Sequence, residues 1–333
     1  MNIVRLNTTG SDFIIKGGNT GGGGGGSTPS SGWTGHADAE GLKAIGWTDE
    51  DIAYYQEHGV NWNAEDDEYH KVTDDNKALY GVLTANNIKT YKDRIVYLPK
   101  IDTSGVTRLD LYFGGCSNMI GLPVLDTQKA NRTDNMFNGC YSLACIPPLD
   151  MPNVTNADYM FRGCSSLVFI PPLDMPNVTS VTGMFYGCYS LVDAPPLDMP
   201  NVTSLTSLFN RCYSLRNATQ FNTPKVTSTY EMFYYCRALT YTQYDMLNVT
   251  NANYMFDAGI CLSYVKLNNL STSLSFKDSE VLKKDSLLYI INNESSTSAI
   301  TITLNPVVYD RLSTDADIVS ALATHPNITL ARY

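Results

Sequence analysis

The sequence predicts an α/β repeat solenoid: 24-residue coils with short strands and helical or 3₁₀ turns, flanked by a small N-terminal helical module and an α/β C-terminal cap. Three observations predict it. Cysteine recurs at 116, 140, 164, 188, 212 and 236, each step being 24 residues. Phenylalanine keeps the same interval at 113, 137, 161, 185, 209 and 233. The strings "LDMPNVTNADYMFRGCSSLVFIPP", "LDMPNVTSVTGMFYGCYSLVDAPP" and "LDMPNVTSLTSLFNRCYSLRNATQ" follow one another over residues 149–220. Identity at a fixed short period marks a stack in which each unit buries its apolar face against the next.

In such a stack one repeat position becomes a column of like side chains about 4.8 Å apart. The Phe and Cys columns are large and apolar, so they are expected inside, with Val154, Val178, Val202 and Val226 lining the rest. The last unit slips: Phe256 arrives after 23 residues and Cys261 after 25. The pairs Pro147–Pro148, Pro171–Pro172 and Pro195–Pro196 lack N–H donors and mark a corner. The run before each pair, such as "SLVFI", is the expected strand. Regular cysteines also raise a disulfide or metal reading. Metal sites want local C-x-x-C or Cys/His pairs, which are missing, and a reducing compartment favours buried free thiols over bridges between coils. Cys145 falls in the strand-like run "LACIPP". The recurrent "NVT" (Asn153, Asn177, Asn201, Asn248) matches a glycosylation sequon but is expected to cap the backbone locally.

The flanks divide by composition. Residues 1–32 read as a short anchor, "NIVRLNTTGSDFIIK", on a flexible tether containing Gly21 to Gly26; a tail without a role is the alternative. Residues 33–100 read as an acidic helical module. In "GWTDEDIAYYQEHG", Thr48 is the expected N-cap, Asp51 follows three residues on, and Gly59 is the stop. Further capped stretches start at "NAEDDEYHKV" and "TDDNKALYG". The array spans 101–265. In 266–333, "TSLSF" and "ITITL" read as strands, and "DSEVLKKDSLLYIINN" and "TDADIVSALATHP" as helices closing the open end.

Net charge of −10 with 23 basic residues, none in a run, excludes nucleic acid and a polybasic membrane surface. The N-terminus lacks a secretory apolar core, and no 18-residue apolar stretch occurs, so the chain is expected to be made in a reducing cytoplasm and to leave, if at all, by lysis. Four scattered histidines and the absence of hydrolase, metalloprotease, phosphate-loop or dinucleotide motifs argue against an enzyme. No catalytic residue, metal site or cofactor is expected. Asp150, Asp174 and Asp198 form a carboxylate column that suits Ca²⁺ or turn capping, with capping favoured.

Binding has more support. Of 22 tyrosines, 13 lie within 101–265. Tyr141, Tyr189 and Tyr213 share the slot after the cysteine, where Ser165 and Arg237 are the equivalents. Tyr186 and Tyr234 share a slot before it with Asn138, Arg162 and Asn210, and Arg211 joins them as a candidate. Tyr and Arg at variable slots of a rigid frame suit a recognition surface. The same tyrosines are equally explained as an outward extension of the core, rings packed and hydroxyls wet.

The unit "LDMPNVTSxxxMFxGCxSLxxxPP" resembles the bacterial-surface-protein-type (BspA-like) leucine-rich repeat over residues 101 to about 265. It departs from the commoner consensus, having no L-x-x-L-x-L-x-x-N strand and no classical Asn ladder. The resemblance implies adhesion or protein binding at a bacterial surface. The C-terminal region also resembles ends of proteins encoded by phages and prophages of gut bacteria. Together these imply a phage virion structural protein (accessory fibre, tail fibre or decoration) docked to other virion proteins through residues 1–32 and binding a host glycan or protein. A bacterial surface adhesin is the alternative. Trimeric self-association is expected of virion appendages, although no heptad run supplies a coiled-coil stem.

Overall fold

The computed structural model describes residues 3–6, 13–16, 60–61, 92, 95, 103–122, 125–219 and 221–333. In the expected anchor segment, β1 (Ile3–Leu6) pairs antiparallel with β2 (Phe13–Lys16), and β3 (Val60–Asn61) runs parallel to β2. The helices expected in 33–100 and the glycine run lie outside the described residues.

From Leu109 onward the chain repeats one unit. Phe113, Phe137, Phe161, Phe185, Phe209 and Phe233 stack at centroid spacings of 5.2 to 5.8 Å, with ring planes within 12° of parallel. Phe256 extends the column at 5.8 Å and Phe276 at 5.3 Å. The cysteines are free and explain their own spacing. Cys140 N–H donates to Phe137 O at 3.0 Å, closing a tight turn, and Cys164 Sγ of the next unit donates to the same oxygen at 3.2 Å. Both lone pairs of a buried carbonyl are thereby used, which a purely apolar residue would not achieve. The thiol bond repeats for Cys140, Cys188, Cys212 and Cys236.

The last unit corrects the expected cysteine register. Cys261 is exposed, and Gly259 takes the column position, donating to Phe256 O at 3.0 Å. A Cβ at Gly259 would lie 2.8 Å from that oxygen, so no larger residue fits.

The expected helical or 3₁₀ turns are replaced by linked turns; among the described residues of the array no helix forms. Each unit passes twice through positive φ. One series is Leu111, Asn135, Tyr159, Gly183, Ser207, Glu231 and Tyr254; the other is Gly115, Gly139, Gly163, Gly187, Arg211, Tyr235 and Ala258. A left-handed residue every few positions stops helix propagation and turns the amides sideways. They then bond the neighbouring unit: Phe137 N–H reaches Met160 O at 2.8 Å, and Thr155 N–H reaches back to Asn131 O at 3.0 Å.

The expected strand "SLVFI" is not a strand. The reason is the adjoining Pro-Pro pair, which has no N–H to extend a ladder. Strands appear from the unit where Thr219–Gln220 replaces the prolines onward, together with the two residues after Pro195–Pro196 that pair with that unit. β4 (Leu197–Asp198) pairs with β6 (Phe221–Asn222), and β5 (Asn217–Ala218), β7 (Tyr241–Asp245) and β8 (Tyr264–Asn268) form a parallel sheet in order β5-β7-β8.

The "NVT" triplets bridge units instead of capping locally. Asn153 Nδ2 donates to Gln128 O at 2.7 Å, and Asn177 Nδ2 to Pro152 O at 2.7 Å. Asn201 and Asn248 repeat the bond, so an asparagine ladder does form, built from residues outside the usual consensus. Thr179 Oγ1 adds a parallel bond to Thr155 O at 3.0 Å. The asparagine bonds give the Pro152, Pro176 and Pro224 carbonyls a partner, whereas Thr155 O already accepts from Thr179 N–H at 2.9 Å.

Beyond β8 come β9 (Leu274–Phe276), α1 (Lys284–Asn292), β10 (Ile300–Leu304), α2 (Pro306–Leu312), α3 (Ala316–Thr324) and β11 (Ile328–Arg332), with parallel order β11-β10-β9. Helix α1 starts later than its periodicity predicts because Asp278 and Ser279 are drawn away. Asp278 Oδ2 accepts from Ala258 N–H at 2.7 Å, and Ser279 Oγ donates to Leu262 O. Helix α2 is capped by Asn305 with Pro306 following, and α3 by Asp315. One apolar core runs from Leu109 to Ile328 without a break at 265. The architecture is repeat-like α/β, with few helices and small open parallel sheets.

Candidate functional site: a tyrosine–arginine face

Burying Phe and Cys in each unit points the intervening slots outward. The left-handed backbone there throws side chains of neighbouring units against one another. Arg162 Cζ lies 5.7 Å from the Tyr159 ring centroid and 5.6 Å from that of Tyr186. Arg211 lies 6.0 Å from Tyr186 and 5.7 Å from Tyr235. Arg237 lies 5.5 Å from Tyr213 and 5.3 Å from Tyr235. Tyr213 stacks on Tyr189 at 4.9 Å, and Tyr234 meets Tyr235 edge-on at 4.6 Å. The result is one unbroken alternation of guanidinium and phenol across four units.

The structure thus brings together seven sequence-predicted residues: Arg162, Tyr186, Tyr189, Arg211, Tyr213, Tyr234 and Arg237. Tyr141 stands apart, 58% exposed, with its ring over bare backbone 3.5 Å from where a Cβ of Gly163 would sit. Two members escaped the sequence reading. Tyr235 occupies the slot that holds glycine in "GC", as does Arg211; the loss of that glycine is its signal. Tyr159 carries a subtler one. A Cβ at Gly183 would lie 2.5 Å from its ring, so that glycine clears the space Tyr159 fills.

The electrostatics are one-sided. Among the described residues none of Arg162, Arg211 and Arg237 joins an ion pair. The nearby Glu231 is engaged by Ser207 Oγ at 3.1 Å and Asn210 Nδ2 at 2.9 Å. The phenols, Tyr186 foremost, raise the Arg211 pKa, and partial desolvation pushes the Tyr234 hydroxyl up. Stacking engages guanidinium faces, Arg211 also hydrogen-bonds the Tyr213 side chain, and the remaining in-plane N–H donors can meet an acceptor from outside.

Within the Asp150, Asp174, Asp198 column, Asp150 and Asp198 take lateral partners rather than the expected turn caps. Asp150 accepts from Gln128 Nε2, and Asp198 from Asn222 Nδ2 at 2.7 Å. Turn capping of that kind is found at Asp126 and Asp245. Among the described residues no three His, Cys, Asp or Glu side chains stand together as a metal site, and no helix is long and apolar enough to cross a membrane.

No curated protein matches this chain. A family model described as "Mycoplasma protein of unknown function, DUF285" matches residues 84–194 and again 169–265. The two overlapping matches cover the repeated units and more than half of the chain. With the 24-residue repeat and its ring and thiol columns established, the chain belongs to the DUF285 family.

Proposed function

We propose that this is a non-enzymatic binding protein. Its units form a leucine-rich-repeat-like solenoid that presents the tyrosine–arginine face to a host-cell surface, as an accessory-fibre, tail-fibre or decoration component of a phage particle. The observation that carries the binding role is the exposed alternation of Arg162, Arg211 and Arg237 with tyrosine rings. Rigid aromatics bury area at small entropic cost, and unpaired guanidiniums add direction. The frame beneath them is locked by a hydrogen-bonded, ring-stacked core, so the face is ordered before any ligand arrives. Mounting through residues 1–32 is supported by composition, since a run such as Gly21 to Gly26 is the kind of sequence that links an attachment segment to the rest of a chain. The C-terminal resemblance to phage-encoded proteins supports the virion setting.

The test uses the labelled full-length chain on host cells. The wild type is expected to be retained, and the triple variant R162Q/R211Q/R237Q to wash off. Equal retention of both would refute the face. Mass spectrometry of purified particles tests the setting, which is refuted if the chain is missing from them. Family membership favours a second reading, since DUF285 is the family found in BspA-like repeat proteins: a bacterial surface adhesin. Surface proteolysis of uninfected cells that releases the chain would select it.

A further inference from the structure

The tyrosine–arginine face borders a second feature. Gly115, Gly139, Gly163 and Gly187 lie in one column at φ between 73° and 84°. A Cβ on Gly163 would come within 3.8 Å of Gly139 Cα, and one on Gly187 within 3.8 Å of Gly163 Cα, so this strip is stacked backbone with no side chain of its own. A cation stands at each end. The Lys92 ammonium is 3.3 Å from the place of a Gly115 Cβ, and Arg211 takes the slot after Gly187. Four unit steps separate Gly115 from Arg211, or about 19 Å at the inter-strand spacing. Tyr141 and Tyr189 lie over the strip, 3.5 and 3.6 Å from the Cβ positions of Gly163 and Gly187.

Resting on the binding role proposed above, we infer that this strip and the adjoining arginines bind a linear polysaccharide carrying carboxylates. Four properties point to it. First, the strip offers no edge to a peptide: Gly139, Gly163 and Gly187 N–H groups are already spent on Arg162, Tyr186 and Asn210 carbonyls, each at 2.8 Å. Strand addition needs free donors. Second, the phenol faces of Tyr141 and Tyr189, laid over the backbone strip, suit pyranose rings, which present C–H faces to aromatics and hydroxyls to the rim. The unit spacing of about 4.8 Å is close to the length of one sugar in an extended chain, so successive sugars meet successive rungs.

Third, guanidinium forks match carboxylates bidentately, and Arg162, Arg211 and Arg237 join no ion pair among the described residues. The cations are few, each separated from the next by a phenol ring, on a chain of net charge −10, which suits sparse carboxylates and disfavours a densely sulfated polymer. Fourth, Arg211 and Tyr235 sit at φ 63° and 61° in the glycine slot. A side chain there is strained, and Arg211 is exposed, so core packing does not repay it.

The test measures binding of the full-length chain to immobilised polygalacturonate, alginate and hyaluronate, with dextran and dextran sulfate alongside, at low and high salt. At least one uronate polymer is expected to bind, more weakly at high salt, and dextran not to bind. Arg211→Gly is expected to weaken binding by roughly tenfold, the loss of one charge-assisted contact, without lowering the unfolding midpoint. That variant restores the residue its backbone prefers, so misfolding does not confound it. Equal binding to dextran, stronger binding to dextran sulfate, or an unchanged affinity in Arg211→Gly overturns the inference. Retention on host cells without binding to any uronate polymer overturns the ligand class while leaving the binding face. Loss of host-cell retention altogether is the separate failure of the face.

Discussion

Truncating one ring at the middle of the column tests the architecture most directly. Phe185 is fully buried and lies between Phe161 at 5.7 Å and Phe209 at 5.2 Å. Phe185→Ala removes the ring from both contacts and leaves a void the hydrogen-bonded backbone cannot collapse to fill. A loss of about 3–5 kcal/mol is expected. In a stack where each unit touches only its neighbours, that loss falls on two interfaces at once. Urea unfolding followed by circular dichroism should therefore show the midpoint dropping by roughly 1–2 M and the transition broadening as the halves uncouple. Phe185→Leu, which keeps most of the apolar volume, should recover more than half of the loss. Val319→Ala, on an exposed helical position, is the control and should stay within about 0.5 kcal/mol of wild type. A Phe185→Ala midpoint no lower than that of the control would refute the idea that the ring column holds the units together.

Further outcomes follow from particular groups. Burial raises the Cys140, Cys164, Cys188, Cys212 and Cys236 thiols above their ordinary value of 9.0. Unfolded thiols ionise first, so stability is full below that value and falls as pH rises past it, by about 1.4 kcal/mol per pH unit for each thiol; urea midpoints at pH 8 and pH 10 check the sign. Iodoacetamide should modify Cys261 in the native chain and reach the six column thiols only after unfolding, as peptide mass mapping would read out. Gly183→Ala places a methyl 2.5 Å from the Tyr159 ring at φ 55° and should destabilise by about 1–2 kcal/mol, whereas Arg211→Gly should leave stability equal or higher in the same thermal melt. Lys277→Ala should cost about 3 kcal/mol, because it strands the Asp257 carboxylate, which is 5% exposed and lies 2.8 Å from the ammonium.

Legibility in the sequence follows from how far each interaction reaches. The ring and thiol columns were readable because a residue and its copy 24 positions on meet directly, so period alone places them. Helix α3 was readable from Asp315 and its apolar spacing, and β10 from "ITITL". Helix α2 and strand β11 were not singled out, being short and set by packing against the sheet. The strand expected at "SLVFI" shows a local rule outweighing a pattern: a short apolar run favours a strand, but the Pro-Pro pair beside it removes the donors. Of the candidate face, seven members were legible as variable slots. Tyr159 and Tyr235 were not, because their contacts depend on the direction in which a left-handed residue projects its side chain.

By itself, then, the sequence determined the period, the inward columns and the variable outward slots, since in a stack like residues confront like residues and burial sorts them by polarity. Only the tertiary structure decided where the cross-unit bonds land. It gave asparagine and threonine to the carbonyls of the preceding unit, set Gly259 in place of Cys261 where a Cβ would strike a carbonyl, and joined three arginines to a row of phenols. The physical reason is geometric: backbone twice turned left-handed in every unit sends amides and side chains to partners about 24 residues away, at angles that residue spacing does not encode.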